Sequence, residues 1–165
     1  MTKGRLLDVG AGEGDAYTFL SPEITRRGVV AVEPNTAYFG RMSKIAPTLQ
    51  QVEGSIYELP FEDKSFDTVI CSEVLEHLTE PDKGLRELLR VCRRWLVLSV
   101  PREPIWRILN IARGAYLHSF GNTPDHHQHW SKRDFIRWVR RYAEIKEVRS
   151  PLPWTIVLAV PKTTQ

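Results

Sequence analysis

At 165 residues, 42% of them hydrophobic, the chain is long enough to bury one full core and too short for two ordinary domains, so a single domain over 1–165 is expected. Its 23 Lys+Arg against 20 Asp+Glu leave a net charge of only +3, and no apolar run approaches the ~20 residues that span a bilayer. The start, Met1-Thr2-Lys3-Gly4, leads into a strand rather than a signal peptide, and Cys71 and Cys92 read as buried thiols rather than a disulfide, so a cytoplasmic location is expected.

In chain order, Leu6-Leu7-Asp8-Val9 reads as a strand over 5–9 that runs into the turn Gly10-Ala11-Gly12-Glu13-Gly14 and a helix over 14–21. Val29-Val30-Ala31-Val32 is the continuous apolar run of a strand covered on both faces, over 28–33. A helix over 35–46 and strands over 49–53 and 66–71 follow. The helix over 82–94 places Leu85, Leu88, Leu89 and Cys92 on one face, and a strand over 95–100 follows it. A helix is expected over 104–117. The helix over 131–142 turns Phe135, Trp138, Val139 and Tyr142 inward, with Ser131 and Asp134 as a capping box. The runs 143–149 and 154–160 are joined by Ser150-Pro151-Leu152-Pro153, a turn too short for anything but antiparallel pairing. This alternation predicts an α/β domain: seven strands, mostly parallel with one antiparallel, and helices on both faces.

The glycines at 10, 12 and 14 let the backbone bend sharply and approach a ligand with no Cβ in the way. A turn without a ligand is the bland alternative, but Glu33 lies about 20 residues further on, at the end of the second strand, where a ribose-binding acid is expected. A dinucleotide fold would place its third glycine where Asp15 stands. A carboxylate there repels a pyrophosphate and attracts a sulfonium and an α-amino group, which favours S-adenosylmethionine over NAD. Asp8 is placed to take that amino group directly or through water.

With Val52-Glu53-Gly54-Ser55, the run Leu59 to Asp67 and Ser72-Glu73-Val74-Leu75-Glu76-His77-Leu78 in this order, the chain resembles the class I S-adenosylmethionine-dependent methyltransferases. Within them it is similar to the methyltransferase type 11 group that includes ubiquinone and menaquinone biosynthesis enzymes. The resemblance implies a Rossmann-like fold, with S-adenosylmethionine as donor and S-adenosylhomocysteine as product. It implies that Gly10, Ala11 and Gly12 line the methionine end, Glu33 binds the ribose hydroxyls and Pro34 touches the adenine. Ser55 and Ile56 would flank the adenine edge, and Ser72 and Glu73 would close the pocket after the fourth strand. Ser55 stands where many relatives carry Asp, which weakens the expected bond to the adenine amino group or moves it to a backbone carbonyl. The implied activity is methyl transfer to an unidentified small-molecule acceptor. Relatives usually carry a helical segment before the first strand that covers the cofactor, and here that strand starts within a few residues of Met1. The alternative is therefore a non-catalytic S-adenosylmethionine-binding module that regulates or scaffolds a partner. In either case the lid described next, or a second copy in a homodimer, would close the site.

The segment 101–130 begins at the carboxyl end of the fifth strand, where open α/β sheets bind ligands. Trp106, Ile108, Leu109, Ile111 and Leu117, mixed with Arg107 and Arg113, read as a lid with an apolar underside that admits an apolar or amphipathic acceptor. A plain packed helix and a peripheral membrane contact are its alternatives. By the same resemblance His126 approaches the active site and is the candidate catalytic base, or orients the substrate; a loop histidine fixing the next helix is its bland counterpart. Glu73, Glu76 and His77 at i, i+3 and i+4, with a histidine from 126–129, have the donor types of a divalent-metal site, but the same run occurs in relatives without metal and a pocket wall is expected. Charge is uneven: residues 1–82 hold 7 Lys+Arg and 14 Asp+Glu, residues 83–149 hold 15 and 6. Arg86, Arg90, Arg93, Arg94, Arg137, Arg140 and Arg141 could face an anionic partner, but solvated helix faces are expected. No basic stretch with interleaved aromatics points to nucleic acid.

Overall fold

The computed structural model describes residues 5–18 and 28–162. Seven strands form one sheet: β1 (Leu6–Val9), β2 (Val29–Glu33), β3 (Gln50–Glu53), β4 (Phe66–Ser72), β5 (Cys92–Pro101), β6 (Ala143–Arg149) and β7 (Trp154–Pro161). Their order is β3-β2-β1-β4-β5-β7-β6. All pairings from β3 to β5 are parallel, and β7 alone runs against its neighbours, as expected from the short turn before it. The order reverses between β1 and β4, and such a switch point opens a crevice beyond the strands' carboxyl ends.

Helices cover both faces. Every residue of β2 is buried, and its side chains alternate between two cores. Val30 and Val32 join Leu7, Val9, Leu85, Leu88 and Phe135 in the core beneath α2 (Pro81–Val91) and α4 (Lys132–Tyr142). Val29 and Ala31 join Tyr17 and Met42 on the opposite face, beneath α1 (Phe39–Ile45). Ser131 caps α4 by accepting from the Asp134 amide at 3.2 Å, and its hydroxyl donates to the Asp134 carboxylate.

Four expectations are corrected. The first helix reduces, within the described residues, to a 3-10 turn over Asp15–Thr18; 19–21 lie outside them. The helix expected over 82–94 ends at Val91, and Cys92 opens β5 opposite Phe66, because a buried apolar residue there fits a strand as well as a helix face. Both cysteines are buried and free. The helix over 104–117 is α3 (Ile105–Ala112) followed by a 3-10 turn at Leu117–Ser119. Most of its apolar residues are not an underside: Trp106 turns inward, but Ile108, Leu109, Ile111, Leu117 and Phe120 are exposed. An inward position also belongs to Asn110, whose amide donates to the Gly121 carbonyl at 2.8 Å.

Several of the arginines on α2, β5 and α4 are engaged within the fold. Arg90 donates to the Leu59 and Phe61 carbonyls and to Glu87 and Asp63. Arg93 pairs with Asp67 and Arg137 with Asp134, while Arg86 and Arg141 stack on Tyr142.

Candidate cofactor site

The glycine turn leaves β1 where β2 also ends. The Gly10 amide donates to the Val32 carbonyl at 2.8 Å, which ties the turn to β2. Gly10 has φ +77°, and a Cβ there would lie 2.3 Å from Val74 Cγ2, so both backbone and space demand glycine. Glu33, only 6% exposed, accepts from the Gly12 amide at 2.9 Å and from the Asn35 amide at 3.0 Å. Two amides occupy about half of a carboxylate's lone-pair sites, so acceptor capacity remains for a pair of hydroxyls.

Two cavities adjoin at Gly10. One, of about 270 Å³, is a mostly apolar slot lined by Val9, Val32, Pro34, Ile56, Val74 and Leu78, together with Gly54, Ser55, Tyr57 and His77. It suits a flat ring. The other, of about 320 Å³, contains Asp8, Ala11, Tyr17, Ser72 and Glu73. Burial pushes the Asp8 carboxyl up to about 6 despite the opposing hydrogen bond from Tyr17 Oη, 2.5 Å away, and the Glu33 charge adds to the rise. Glu73 adopts φ +56°, and its carboxylate accepts from Ser99 Oγ at 2.7 Å and from Trp154 Nε1 at 2.9 Å. Burial raises its pKa against those bonds.

The ten residues expected to hold a cofactor therefore gather. Asp8, Ala11, Ser72 and Glu73 line one cavity, Pro34, Ser55 and Ile56 the other, and Gly10 both; Gly12 and Glu33 are bonded to each other. Ser55 Oγ accepts from the Tyr57 amide at 3.2 Å, so its side chain serves the local turn. Asp15 is a correction. It is exposed and pairs with Arg41 of α1 at 2.7 Å, lining neither cavity, so its charge is spent on the helix opposite. The sequence reading missed Tyr17, Val74, Ser99 and Trp154. Tyr17 stands three residues past Gly14, a local signal; the others reach the site only through strand pairing and the turn after β4.

The turn after β4, at Leu75–His77, brings a second group together. The Glu76 carbonyl accepts from the His127 and Gln128 amides at 2.8 and 2.9 Å, which docks the end of the 101–130 segment on this turn. His126 is thereby buried, 4.8 Å edge-on from the His77 ring and 6.1 Å from Trp106, which stacks beside it. Burial, then the neighbouring His77 and His129, lower the His126 pKa to about 4. Glu76 is 2% exposed and neither carboxylate oxygen has a hydrogen-bond partner; burial and the nearby Glu73 charge raise its pKa to about 8. Glu73, turned toward Ser99 and Trp154, does not join this group, and His127 and His129 are exposed.

A glycine turn at the switch point of a doubly covered, mostly parallel sheet defines a Rossmann-like domain. The methyltransferase domain family matches residues 7–96, and the chain belongs to that family. It is 32% identical over 122 residues to the ubiquinone/menaquinone biosynthesis C-methyltransferase of Vibrio vulnificus, covering 68% of this chain and 46% of that protein. It is 33% identical over 118 residues to the demethylmenaquinone methyltransferase of Beutenbergia cavernae, covering 70% and 48%. The chain thus spans about half the length of these curated relatives. In fold it is similar to the magnesium protoporphyrin IX methyltransferase of Synechocystis, solved with bound S-adenosylhomocysteine (TM-score 0.69, 18% identity, 95% of this chain and 74% of that one). It is similar too to a SAM-dependent methyltransferase from Aquifex aeolicus (TM-score 0.68, 16% identity, 97% and 83%).

Proposed function

We propose that the chain binds S-adenosylmethionine across the two cavities that meet at Gly10 and transfers its methyl group to an apolar aromatic acceptor of the quinone-precursor type. The observation that carries this reading is the pair of buried carboxylates on the cradle. Glu33 is held by two backbone amides with acceptor capacity left for a ribose diol, and Asp8 lies in the other cavity, where a cationic amino group would relieve its desolvation. The apolar slot beside Pro34, Ile56 and Leu78 would take the adenine.

The bound donor supplies a methyl carbon already activated by its sulfonium, so alignment and exclusion of water matter more than acid–base power. The chain's own part follows. Glu33, Asp8 and the glycine amides fix the donor, while Glu73, clamped by Ser99 and Trp154, walls the cavity. His126, neutral near pH 7 and packed edge-on against His77 of the cavity wall, would orient the acceptor rather than take its proton, because a pKa of about 4 makes it a weak base. The relatives' quinone chemistry supports the acceptor class. The exposed apolar side chains of α3 and the turn after it, Ile108, Ile111, Leu117 and Phe120, support contact with a lipid surface from which such an acceptor would be drawn.

The test is incubation of the purified chain with methyl-tritiated S-adenosylmethionine and reduced naphthoquinones lacking the ring methyl, with and without liposomes. Label in the extracted quinone supports the reading. Saturable donor binding with no transfer to any acceptor would replace it with the non-catalytic binding module.

A further inference from the structure

We propose that Glu76, His77 and His126 form a binding site for one divalent transition-metal ion of the zinc or manganese class. One potential ligand atom from each of the three lies within 4.8 Å of the others. Donors around a tetrahedral ion at bond lengths of 2.0–2.1 Å sit about 3.3 Å apart, so side-chain shifts of about 1 Å close the set.

Three independent features aim at a cation. Glu76 is the first: a carboxylate 2% exposed with both oxygens unpartnered is a costly arrangement that a metal ion resolves. His77 is the second. Its Nδ1 lies 3.0 Å from the Asp125 carbonyl, which can only accept, so Nδ1 carries the proton and Nε2 keeps its lone pair. A backbone carbonyl holding the far ring nitrogen is how metal-binding imidazoles are oriented. The third is rigidity. The Glu76 carbonyl anchors the His127 and Gln128 amides, and Gln128 Nε2 donates to the Leu78 carbonyl at 3.0 Å, locking His126 against the turn that carries the other two ligands.

Two imidazoles and one carboxylate favour zinc, manganese, iron or cobalt over magnesium or calcium, which prefer all-oxygen shells. Three protein ligands leave a coordination position open. Resting on the methyltransferase reading above, that position would take an oxygen of the acceptor, because His77 also borders the cavity assigned to the donor.

The test strips the folded chain with chelator and titrates it with Mn²⁺, read by electron paramagnetic resonance, and with Zn²⁺ against a chromophoric chelator. The same samples are titrated with S-adenosylhomocysteine. One ion per chain is expected at micromolar affinity, weakened at least 30-fold in Glu76→Gln and His126→Asn and unchanged in His129→Ala. Melting curves establish that the variants fold; should His126→Asn not fold, His77→Asn at its half-exposed position carries the same test. Binding of the nucleoside without a saturable metal site, or a metal site indifferent to Glu76→Gln, overturns the inference and leaves the proposed function standing. A metal site in a chain that binds no nucleoside upholds the inference and overturns the proposed function.

Discussion

On the proposed reading, Asp8 should make donor binding pH-dependent in a direction fixed by its burial. Its pKa of about 6 against the ordinary 3.8 means that the folded chain holds the neutral form more tightly than the unfolded chain does. The associated stability is fully present below about 3.8 and is lost as pH rises through about 6, amounting to roughly 3 kcal/mol for a shift of this size. The ligand requires the opposite state, because a cationic amino group binds the ionised carboxylate. At pH 5 about one Asp8 in eleven is ionised, at pH 7.5 nearly all, so S-adenosylmethionine should bind about tenfold more weakly at pH 5. The α-amino group stays largely protonated across this interval. Calorimetric titration at pH 5.0, 6.0 and 7.5 measures the effect, with adenosine, which lacks the amino group, as a flat control. Asp8→Asn keeps the acceptor for Tyr17 Oη; it should abolish the pH dependence, bind the donor weakly throughout, and make the ligand-free chain more stable than wild type at pH 7.5. Equal pH profiles for donor and adenosine, or a profile that survives Asp8→Asn, would refute the assignment of Asp8 to the amino group.

The two glycines of the cradle should separate conformation from space. Gly12→Ala meets no atom within 4 Å and bears only its φ of +56°, so about 1 kcal/mol is expected in urea denaturation, whereas Gly10→Ala adds a contact of 2.3 Å to Val74 and should cost about 2–4 kcal/mol and donor binding with it. Arg90→Ala removes the donors to Leu59, Phe61, Glu87 and Asp63 and should lower stability by about 1–3 kcal/mol while leaving liposome binding unchanged, since its guanidinium is engaged within the fold.

What could be read in the sequence was local, and what could not was decided by partners distant in the chain. The strand ends and the glycine turn follow from runs such as Val29 to Glu33, where every side chain is buried and no distant contact is needed to recognise them. The junction at Cys92 misleads because the residue continues the apolar face of α2 and equally suits β5; only its pairing with Phe66 decides. The 101–130 segment reads with its apolar face inward, yet Asn110 takes the inside by bonding Gly121, a contact that periodicity cannot reveal. Asp15 reads as a charge acting on the ligand, but Arg41, 26 residues further on, sets its direction. Glu76 and His77 were visible as a pair; His126 joins them because two amides beyond it bond the Glu76 carbonyl, with about 50 residues intervening. Glu73 leaves that group for the same kind of reason, drawn toward β5 and β7 by Ser99 and Trp154.

The measurement that bears most directly on the central claim is calorimetric titration of the folded chain with S-adenosylhomocysteine, beside NAD and beside the Glu33→Ala variant. One saturable site is expected for S-adenosylhomocysteine and none for NAD, with affinity falling about 10–100-fold in Glu33→Ala as the charge-assisted bonds to the ribose are lost. Absence of binding to a chain whose circular dichroism and melting show it folded, or binding indifferent to Glu33, would contradict the assignment of the cradle at Gly10 to S-adenosylmethionine.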